Sequence, residues 1–277
     1  MKNIFLLFLL LLSTNAFAFE TASFLHSAGI AVDADRNSIY VANVNGRDNE
    51  KDGNGFISRL NDEGSIQQLH FIDSSKEIKL NAPKGLAVLN NKLYITDINL
   101  VHVYSLEKNR FLDDIPFTGI EVGELYAITP TADNELYTVD AQKNAVYKID
   151  AEGKVSLFVQ DDSLGQPRNI VWHPLNEYFL ISGWSSGQVQ AYDKKAQKKN
   201  IPSLFLRTLE GMTIDGEGKM YLSSASLRSI YVLERDFTLR DFKLDLNSPQ
   251  NLAYHINKKE ILVNLPTENK IVSFPVK

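Results

Sequence analysis

The chain has 277 residues, a formal net charge of −5 at pH 7 and no cysteine. The absence of cysteine excludes a disulfide framework, a thiolate metal site and a thiol nucleophile. Its basic residues are scattered, and the densest run, from Asp193 to Asn200, is typical of a solvated turn, so we expect no nucleic-acid partner.

Residues 1–18 have the pattern of a secretory signal peptide. One Lys precedes a nine-residue apolar run from Ile4 to Leu12, and Ala16-Phe17-Ala18 is the small-x-small pattern that precedes cleavage. This run is too short to span a bilayer, which takes about 20 apolar residues. We therefore expect a mature chain of residues 19–277 without a transmembrane segment, in a periplasmic or secreted protein.

One phrase of two short strands joined by a polar turn occurs six times. Successive copies are separated by 56, 41, 43, 42 and 40 residues, and they start at Gly29, Gly85, Tyr126, Asn169, Gly211 and Asn251. A period near 40 with short alternating strands is typical of a β-propeller blade, because one four-stranded sheet buries its faces only against neighbouring sheets. We predict an all-β fold in which residues 19–277 form a single six-bladed β-propeller domain, with a β-sandwich as the alternative.

The last repeat predicts how the ring closes. In the third repeat four strands are expected, at YAIT, ELYTVD, AVYKID and KVSLFV, whereas the sixth ends after its third strand, NKIVSFPV. The segment FETASFL, from Phe19 to Leu25, precedes the first repeat and has no repeat of its own. We expect this N-terminal strand to pair with the last blade and to cover its open edge.

The first repeat contains a long loop between its second and third strands, with the sequence DNEKDGNG from Asp48 to Gly55. Asp48, Glu50 and Asp52 fit the first, third and fifth positions of a helix-flanked calcium loop. The twelfth position should be Glu but is Arg59, and the following FISRL alternates as a strand. We predict a Gly-rich hairpin loop, and a cation site of another geometry, built from the three carboxylates, remains open.

Polar residues are expected around one end of the propeller axis, where the loops after the second strands and the entries to the first strands meet. The predicted ligand-binding rim consists of Asn43, Lys84, Asp97, Asp140, Arg168, Trp184, Glu210, Gln250 and Asn264. Lys84 and Arg168 would face acidic groups of a small ligand, with Trp184 as a stacking surface. The alternative is that Asn and Asp at strand ends cap the adjacent loops through their own side chains.

The repeats resemble those of NHL-type propellers, and LEGMTIDGEGKMYLSS from Leu209 resembles the Asp-Gly-Met-x-x-Asp segment of the regucalcin and gluconolactonase family. This resemblance implies a six-bladed propeller with one divalent metal on the axis. The family's ligands are a Glu before the first repeat, an Asn before a middle one, an Asn at a loop and an Asp before the fifth. Here the fifth position is Glu210, but the first is Ala28 and the middle one is Arg168.

Two hypotheses about function follow. The segments EKDGNGFISRL and LNAPKGLAVLNNKLYITD also resemble a bacterial group of secreted propellers related to that family. The first hypothesis is a protein that binds a small molecule or a protein partner through its rim. The alternative is a metal-dependent hydrolase of lactones or esters, in which Glu210, Asp97 and Asp140 hold a divalent cation such as calcium or zinc that polarises the carbonyl or a water.

Overall fold

A computed structural model of the chain describes residues 17–204 and 206–276. The predicted signal peptide lies outside the described residues except for its last two positions, so cleavage and localisation stay predictions. Six four-stranded antiparallel sheets form a six-bladed propeller, which confirms the predicted fold class. In the described parts of the chain, no helix is long and apolar enough to cross a membrane.

The strands follow one another around the ring in groups of four. The first half consists of β1 Glu20–Ala22, β2 Ser27–Asp33, β3 Ser38–Asn43, β4 Phe56–Asn61, β5 Ile66–Asp73, β6 Pro83–Leu89, β7 Lys92–Asp97, β8 Leu100–Ser105, β9 Arg110–Pro116, β10 Leu125–Pro130, β11 Leu136–Asp140, β12 Ala145–Ile149 and β13 Val155–Gln160. The second half consists of β14 Pro167–His173, β15 Tyr178–Gly183, β16 Val189–Asp193, β17 Lys198–Lys199, β18 Leu209–Ile214, β19 Met220–Ser224, β20 Ser229–Leu233, β21 Leu239–Lys243, β22 Leu252–His255, β23 Glu260–Leu265 and β24 Lys270–Pro275. Blade 1 contains β2 to β5, and each later blade contains the next four strands, up to blade 6 with β22, β23, β24 and β1.

Position within a blade explains the composition of each strand. All residues of β11 are buried, whereas none of β13 is, although both belong to blade 3. The second strand of a blade lies between the two neighbouring blades and is covered on both faces, so it is apolar almost throughout. The fourth strand lies at the outer edge, where its residues are only partly covered, and even the apolar Leu157 of β13 is 54% exposed.

The hydrophobic core is divided among the six seams between adjacent blades. Each seam has its own cluster of buried apolar side chains. In the seam between blades 3 and 4, the ring centroids of Tyr137 and Phe179 are 4.1 Å apart, and both side chains are almost completely buried. Each such side chain contributes about 1.5–3 kcal/mol on burial, so every blade depends on both neighbours.

The N-terminal strand closes the ring, as the sequence predicted. β1 pairs antiparallel with β24, with Glu20 opposite Val272 and Ala22 opposite Lys270. Phe24, just after β1, is fully buried in the seam between blades 6 and 1. Blade 6 therefore combines the two ends of the described chain, and its edge is covered.

Candidate functional site: a pocket on the propeller axis

A repeated backbone irregularity aims side chains at the axis. In blades 1 to 5 the first residue of the inner strand pairs with the last residue of the second strand, and the register then shifts by a β-bulge. A bulge bends the strand and redirects the side chain it contains. In each of these blades, the inner-strand residue just after the first pair lines one cavity, which we call the axial pocket. With their counterpart in blade 6, these residues are Ala28, Lys84, Tyr126, Arg168, Glu210 and Gln250.

The third blade corrects the predicted start of the third repeat. A start at Tyr126 implies that the preceding residue, Leu125, corresponds to Lys84 and Glu210 and faces the axis, but Leu125 is fully buried in the seam between blades 2 and 3. Structurally, Ala127 is the counterpart of Gly85 and Gly211, so Tyr126 faces the pocket. With a start at Ala127, four successive repeats, from Gly85 to Gly211, are each 42 residues apart. This regularity is the signal that could have identified Tyr126.

Glycines after the bulges bring the inner strands close together. A Cβ atom on Gly85 would lie 2.3 Å from the backbone oxygen of Tyr126, and one on Gly211 would lie 2.2 Å from that of Gln250. The hydroxyl of Thr96 donates to the Tyr126 oxygen at 2.6 Å, which ties blade 2 to blade 3 at the same point. Neighbouring blades therefore contact each other through their backbones at the wall of the pocket.

Lys84 is a buried cation in the pocket wall, with only 4% of its surface exposed. Its Nζ lies 3.0 Å from Glu124 Oε1 and donates to the backbone oxygen of Asp48. The same atom lies 5.1 Å from the centroid of the Tyr126 ring. The charge of Lys84 is thus compensated by a carboxylate and an aromatic face.

Arg168 and Glu210 form a second compensated pair. Arg168 Nη1 donates to Glu210 Oε2 at 2.7 Å, and Trp184 Nε1 donates to Glu210 Oε1 at 2.8 Å. The Arg168 guanidinium carbon lies 4.6 Å from the Trp184 ring centroid and 5.2 Å from that of Tyr126. Both carboxylate oxygens of Glu210 are therefore occupied, and one ring of Trp184 packs against Arg168.

Tyr126 supplies a neutral hydroxyl group between these charges. Burial raises the pKa of its phenol above the ordinary value; the positive charge of Arg168 opposes this rise, whereas Glu124, Asp48 and Glu210 add to it. The hydroxyl consequently stays protonated at neutral pH and can donate a hydrogen bond into the pocket.

The long loop of blade 1 forms part of the pocket. Asp48 and His26 both line it, and His26 Nε2 lies 3.6 Å from Asp48 Oδ1. On its other side the His26 ring contacts the loop through Nδ1, which lies 3.1 Å from the backbone oxygen of Gly46. The loop therefore reaches the axial pocket. Its sequence placed it at this end of the axis but did not indicate that Asp48 lines the cavity.

The other two loop carboxylates face elsewhere. Asp52 accepts hydrogen bonds from the backbone and side-chain nitrogens of Asn54, at 3.3 and 2.7 Å, as in an ordinary turn. Glu50 is exposed and does not line the pocket. The proposed cation site of Asp48, Glu50 and Asp52 thus has one member in the axial pocket and two outside it.

Asp97 and Asp140, which we placed on the rim, act as buried caps. Asp140 accepts from the backbone nitrogens of Gly123 and Glu124, at 2.7 and 3.0 Å, and also from those of the turn that follows it. Asp97 accepts from the segment entering its own inner strand, at 2.6 and 2.8 Å. Each carboxylate ties the end of a second strand to the entry of the first strand.

Asn43 and Asn264 have the same structural use. Asn43 Oδ1 accepts from the backbone nitrogen of Leu25 at 2.9 Å, and Asn264 Nδ2 donates to the backbone oxygen of Ser27 at 2.6 Å. Both residues are fully buried, and neither lines the axial pocket. Of the predicted rim, the pocket therefore brings together Lys84, Arg168, Glu210 and Gln250.

The pocket residues do not fit the divalent cation that the family resemblance implies. Ala28 offers no ligand, Arg168 places a positive charge against Glu210, and both oxygens of Glu210 already accept hydrogen bonds. Within residues 17–204 and 206–276, no group of three or more His, Cys, Asp or Glu side chains is arranged to hold a metal. Glu210, Asp97 and Asp140 hence form no common metal site.

Comparisons with known proteins support the fold and its family likeness. No family model and no curated protein matches the chain. Among solved structures, a gluconolactonase from Xanthomonas campestris has a TM-score of 0.72 at 13% identity, over 94% of this chain and 89% of that one. Virginiamycin B lyase from Staphylococcus aureus has a TM-score of 0.66 at 13% identity, over 94% of this chain and 99% of that one.

A streptogramin B lyase has a TM-score of 0.65 at 14% identity, over 92% of this chain and 96% of that one. The chain is thus similar to gluconolactonase-like six-bladed propellers, as expected from its repeats. At these identities the likeness shows the fold alone, and the pocket residues have to carry the argument about function.

Proposed function

We propose that the protein binds a small polar molecule in the axial pocket, and that it does so in the periplasm or after secretion. The observation that carries this proposal is the convergence of Lys84, Arg168 and Glu210, from three different blades, on one cavity of about 90 Å³. Buried ion pairs contribute little to stability relative to apolar side chains. Ion pairs around a cavity therefore point to a binding site, because a few fixed polar groups give such a site its specificity.

The pocket offers a set of groups that suits a small hydrogen-bonding ligand. Tyr126 provides a hydroxyl donor, Arg168 keeps several N–H groups beyond the one used by Glu210, and Gln250 has an amide that can donate and accept. All six blades contribute to the wall, so the site exists only in the closed ring. Its volume suits a small metabolite better than a polymer.

The alternative of a metal-dependent lactonase or esterase draws support from the fold likeness to gluconolactonase. The pocket speaks against it, because a hydrolase of that kind needs a metal with open coordination positions to polarise the carbonyl or a water. Here Glu210, which has the position of the family's metal ligand before the fifth repeat, forms an ion pair with Arg168 instead. A protein partner is the other alternative, and the exposed end of the blade 1 loop would be its contact surface.

The test is a thermal-shift screen of the purified protein, before and after chelation, with neutral polyols, carboxylates, amines, amino acids and lactones. A ligand at a hundred times its dissociation constant adds about 2.7 kcal/mol. For a chain of this size that should raise the melting midpoint by roughly 5–10 °C. We expect such a shift with at least one class, and we expect chelation to leave it unchanged.

Two variants show whether the ligand occupies the axial pocket. Arg168→Gln should abolish the shift. Lys143→Gln is the matched control, because Lys143 pairs with the exposed Glu121 at 2.6 Å and does not line the pocket. If no compound class shifts the midpoint, or if Arg168→Gln responds like the wild type, the proposed pocket function is wrong.

A further inference from the structure

The charges around the axial pocket do not cancel. Lys84 is paired with Glu124, and Arg168 is paired with Glu210. The carboxylate of Asp48 is additional, and the ion partner it has among the described residues is His26, 3.6 Å away. About half of the Asp48 side chain is exposed, so this carboxylate is accessible from the mouth of the pocket.

Asp48 and Arg168 act on each other across the cavity without touching. Burial by itself would lower the pKa of Arg168, but the negative charges of Glu210 and, among others, Asp48 raise it. Asp48 also raises the pKa of Tyr126. No ion pair within 4.0 Å joins Asp48 to Arg168 in the described structure, so a negative and a positive group face one cavity with a gap between them.

Such a gap complements a molecule that carries both charges. Arg168 uses one N–H for Glu210 and keeps others for a second carboxylate. The Tyr126 ring lies against this cation, with its centroid 5.2 Å from the guanidinium carbon, and its hydroxyl stays protonated and can donate a hydrogen bond to the same carboxylate. On the opposite side, Asp48 can accept from an ammonium group.

We propose that the ligand of the axial pocket is a small zwitterion of the amino-acid class, with its ammonium group at Asp48 and its carboxylate at Arg168 and Tyr126. This inference rests on the proposed function and narrows it. A simple carboxylate would leave Asp48 facing another negative charge, and a simple amine would place a second cation beside Arg168. Both should bind more weakly than the zwitterion.

The test is isothermal titration of the purified protein with each of the twenty common L-amino acids. For the amino acid that binds most tightly, the titration is repeated with its N-acetyl derivative, which lacks the cation, and with its amide, which lacks the anion. We expect the zwitterion to bind at least about tenfold more tightly than either derivative, which corresponds to about 1.4 kcal/mol for the missing charge.

Variants assign the two charges separately. Asp48→Asn should reduce the affinity for the amino acid at least tenfold. It should raise the affinity for the N-acetyl derivative, because that anion then no longer faces a second negative charge. Arg168→Lys, which keeps the positive charge, should retain part of the binding that Arg168→Gln loses. Glu50→Gln is the control, because Glu50 lies on the same loop and does not line the pocket.

Failure of this inference can be distinguished from failure of the pocket function. If a neutral, anionic or cationic compound binds in an Arg168-dependent manner while no amino acid binds, the zwitterion is wrong and the binding pocket stands. If Asp48→Asn binds the amino acid as the wild type does, the assignment of the ammonium group is wrong. If no compound of any class binds, both proposals fall.

Discussion

Glu210 accepts one hydrogen bond from Arg168, at 2.7 Å, and one from Trp184, at 2.8 Å, so that a guanidinium and an indole share its carboxylate on the propeller axis. About a quarter of the Arg168 side chain and about a tenth of the Glu210 side chain are exposed. The pair therefore lies close to the protein interior, and its members depend on each other.

Glu210→Gln should destabilise the protein by about 2 kcal/mol, below the range for a fully buried pair because Arg168 is partly solvated. Arg168→Gln should cost a similar amount. The double variant should lose clearly less than the sum, since neither charge is then left alone. Urea unfolding of the four proteins measures these terms, and additive losses would show that the two side chains do not interact.

Divalent cations should leave the melting midpoint unchanged. A metal at a hundred times its dissociation constant would add about 2.7 kcal/mol and shift the midpoint by several degrees. We expect calcium, zinc or manganese, added after chelation, to shift the melting midpoint by less than about 1 °C, because Glu210 already forms an ion pair with Arg168. A larger shift that Glu210→Gln removes and Glu50→Gln retains would restore the metal-dependent alternative.

Asp140→Ala should be among the most destabilising changes of a polar residue. It removes the acceptor of four backbone N–H groups, and each buried group left unsatisfied costs about 1–3 kcal/mol. We expect a loss of at least about 3 kcal/mol in denaturant unfolding. Asp150→Ala is the control, since Asp150 accepts from two backbone N–H groups in an exposed turn, where water can replace it. Equal losses in the two variants would contradict the buried-cap interpretation.

His102 should make stability depend on pH. Burial tends to lower the pKa of His102, but its hydrogen bonds to Asp97 and Asp114, at 3.2 and 2.5 Å, and their negative charges outweigh burial and raise it. A raised pKa means that the protonated form stabilises the fold. This contribution is complete below the unfolded-state pKa of about 6.5 and is lost as the pH rises through the higher folded-state value.

The measurement is the free energy of unfolding of the wild type and of His102→Asn between pH 5 and pH 9. The difference, wild type minus variant, should be largest at pH 5 and should shrink as the pH rises. A difference that stays constant or grows with pH would show that the neutral ring is the stabilising form.

Phe24→Ala should weaken the closure of the ring. Phe24 is fully buried beside the strand that completes blade 6, and truncation of a buried Phe typically costs about 3–5 kcal/mol. The neighbouring Leu25 is 43% exposed, so Leu25→Ala should cost less than about 1 kcal/mol. Thermal unfolding compares the stability of the two variants directly. If Phe24→Ala destabilises the protein no more than Leu25→Ala does, the N-terminal closure contributes little to stability.

The fold could be predicted from the sequence because it depends on local and repeated signals. The alternation of apolar and polar residues identified the strands, and the period near 40 identified the blades. The missing fourth strand of the last repeat, together with the unassigned residues before Ser27, was sufficient to predict that β1 pairs with β24. These features follow from the need of each sheet to bury both faces.

The site could be predicted only in part. Lys84, Arg168 and Glu210 were expected on the axis and line the pocket. Asp97 and Asp140 have similar positions in their repeats, yet they point back to the backbone. The sequence shows at which end of a strand a carboxylate lies. The direction in which that carboxylate points depends on the backbone conformation of the bulge and of the segment that enters the inner strand.

The sequence by itself determined six blades, their strands, their seams and the closure, because these depend on patterns that recur within about forty residues. Only the tertiary structure showed that Tyr126 replaces Leu125 at the axis, that the loop carrying Asp48 reaches the pocket, and that Arg168 takes the carboxylate of Glu210. Those contacts join residues from different blades. They depend on the relative placement of whole sheets, which no local pattern specifies.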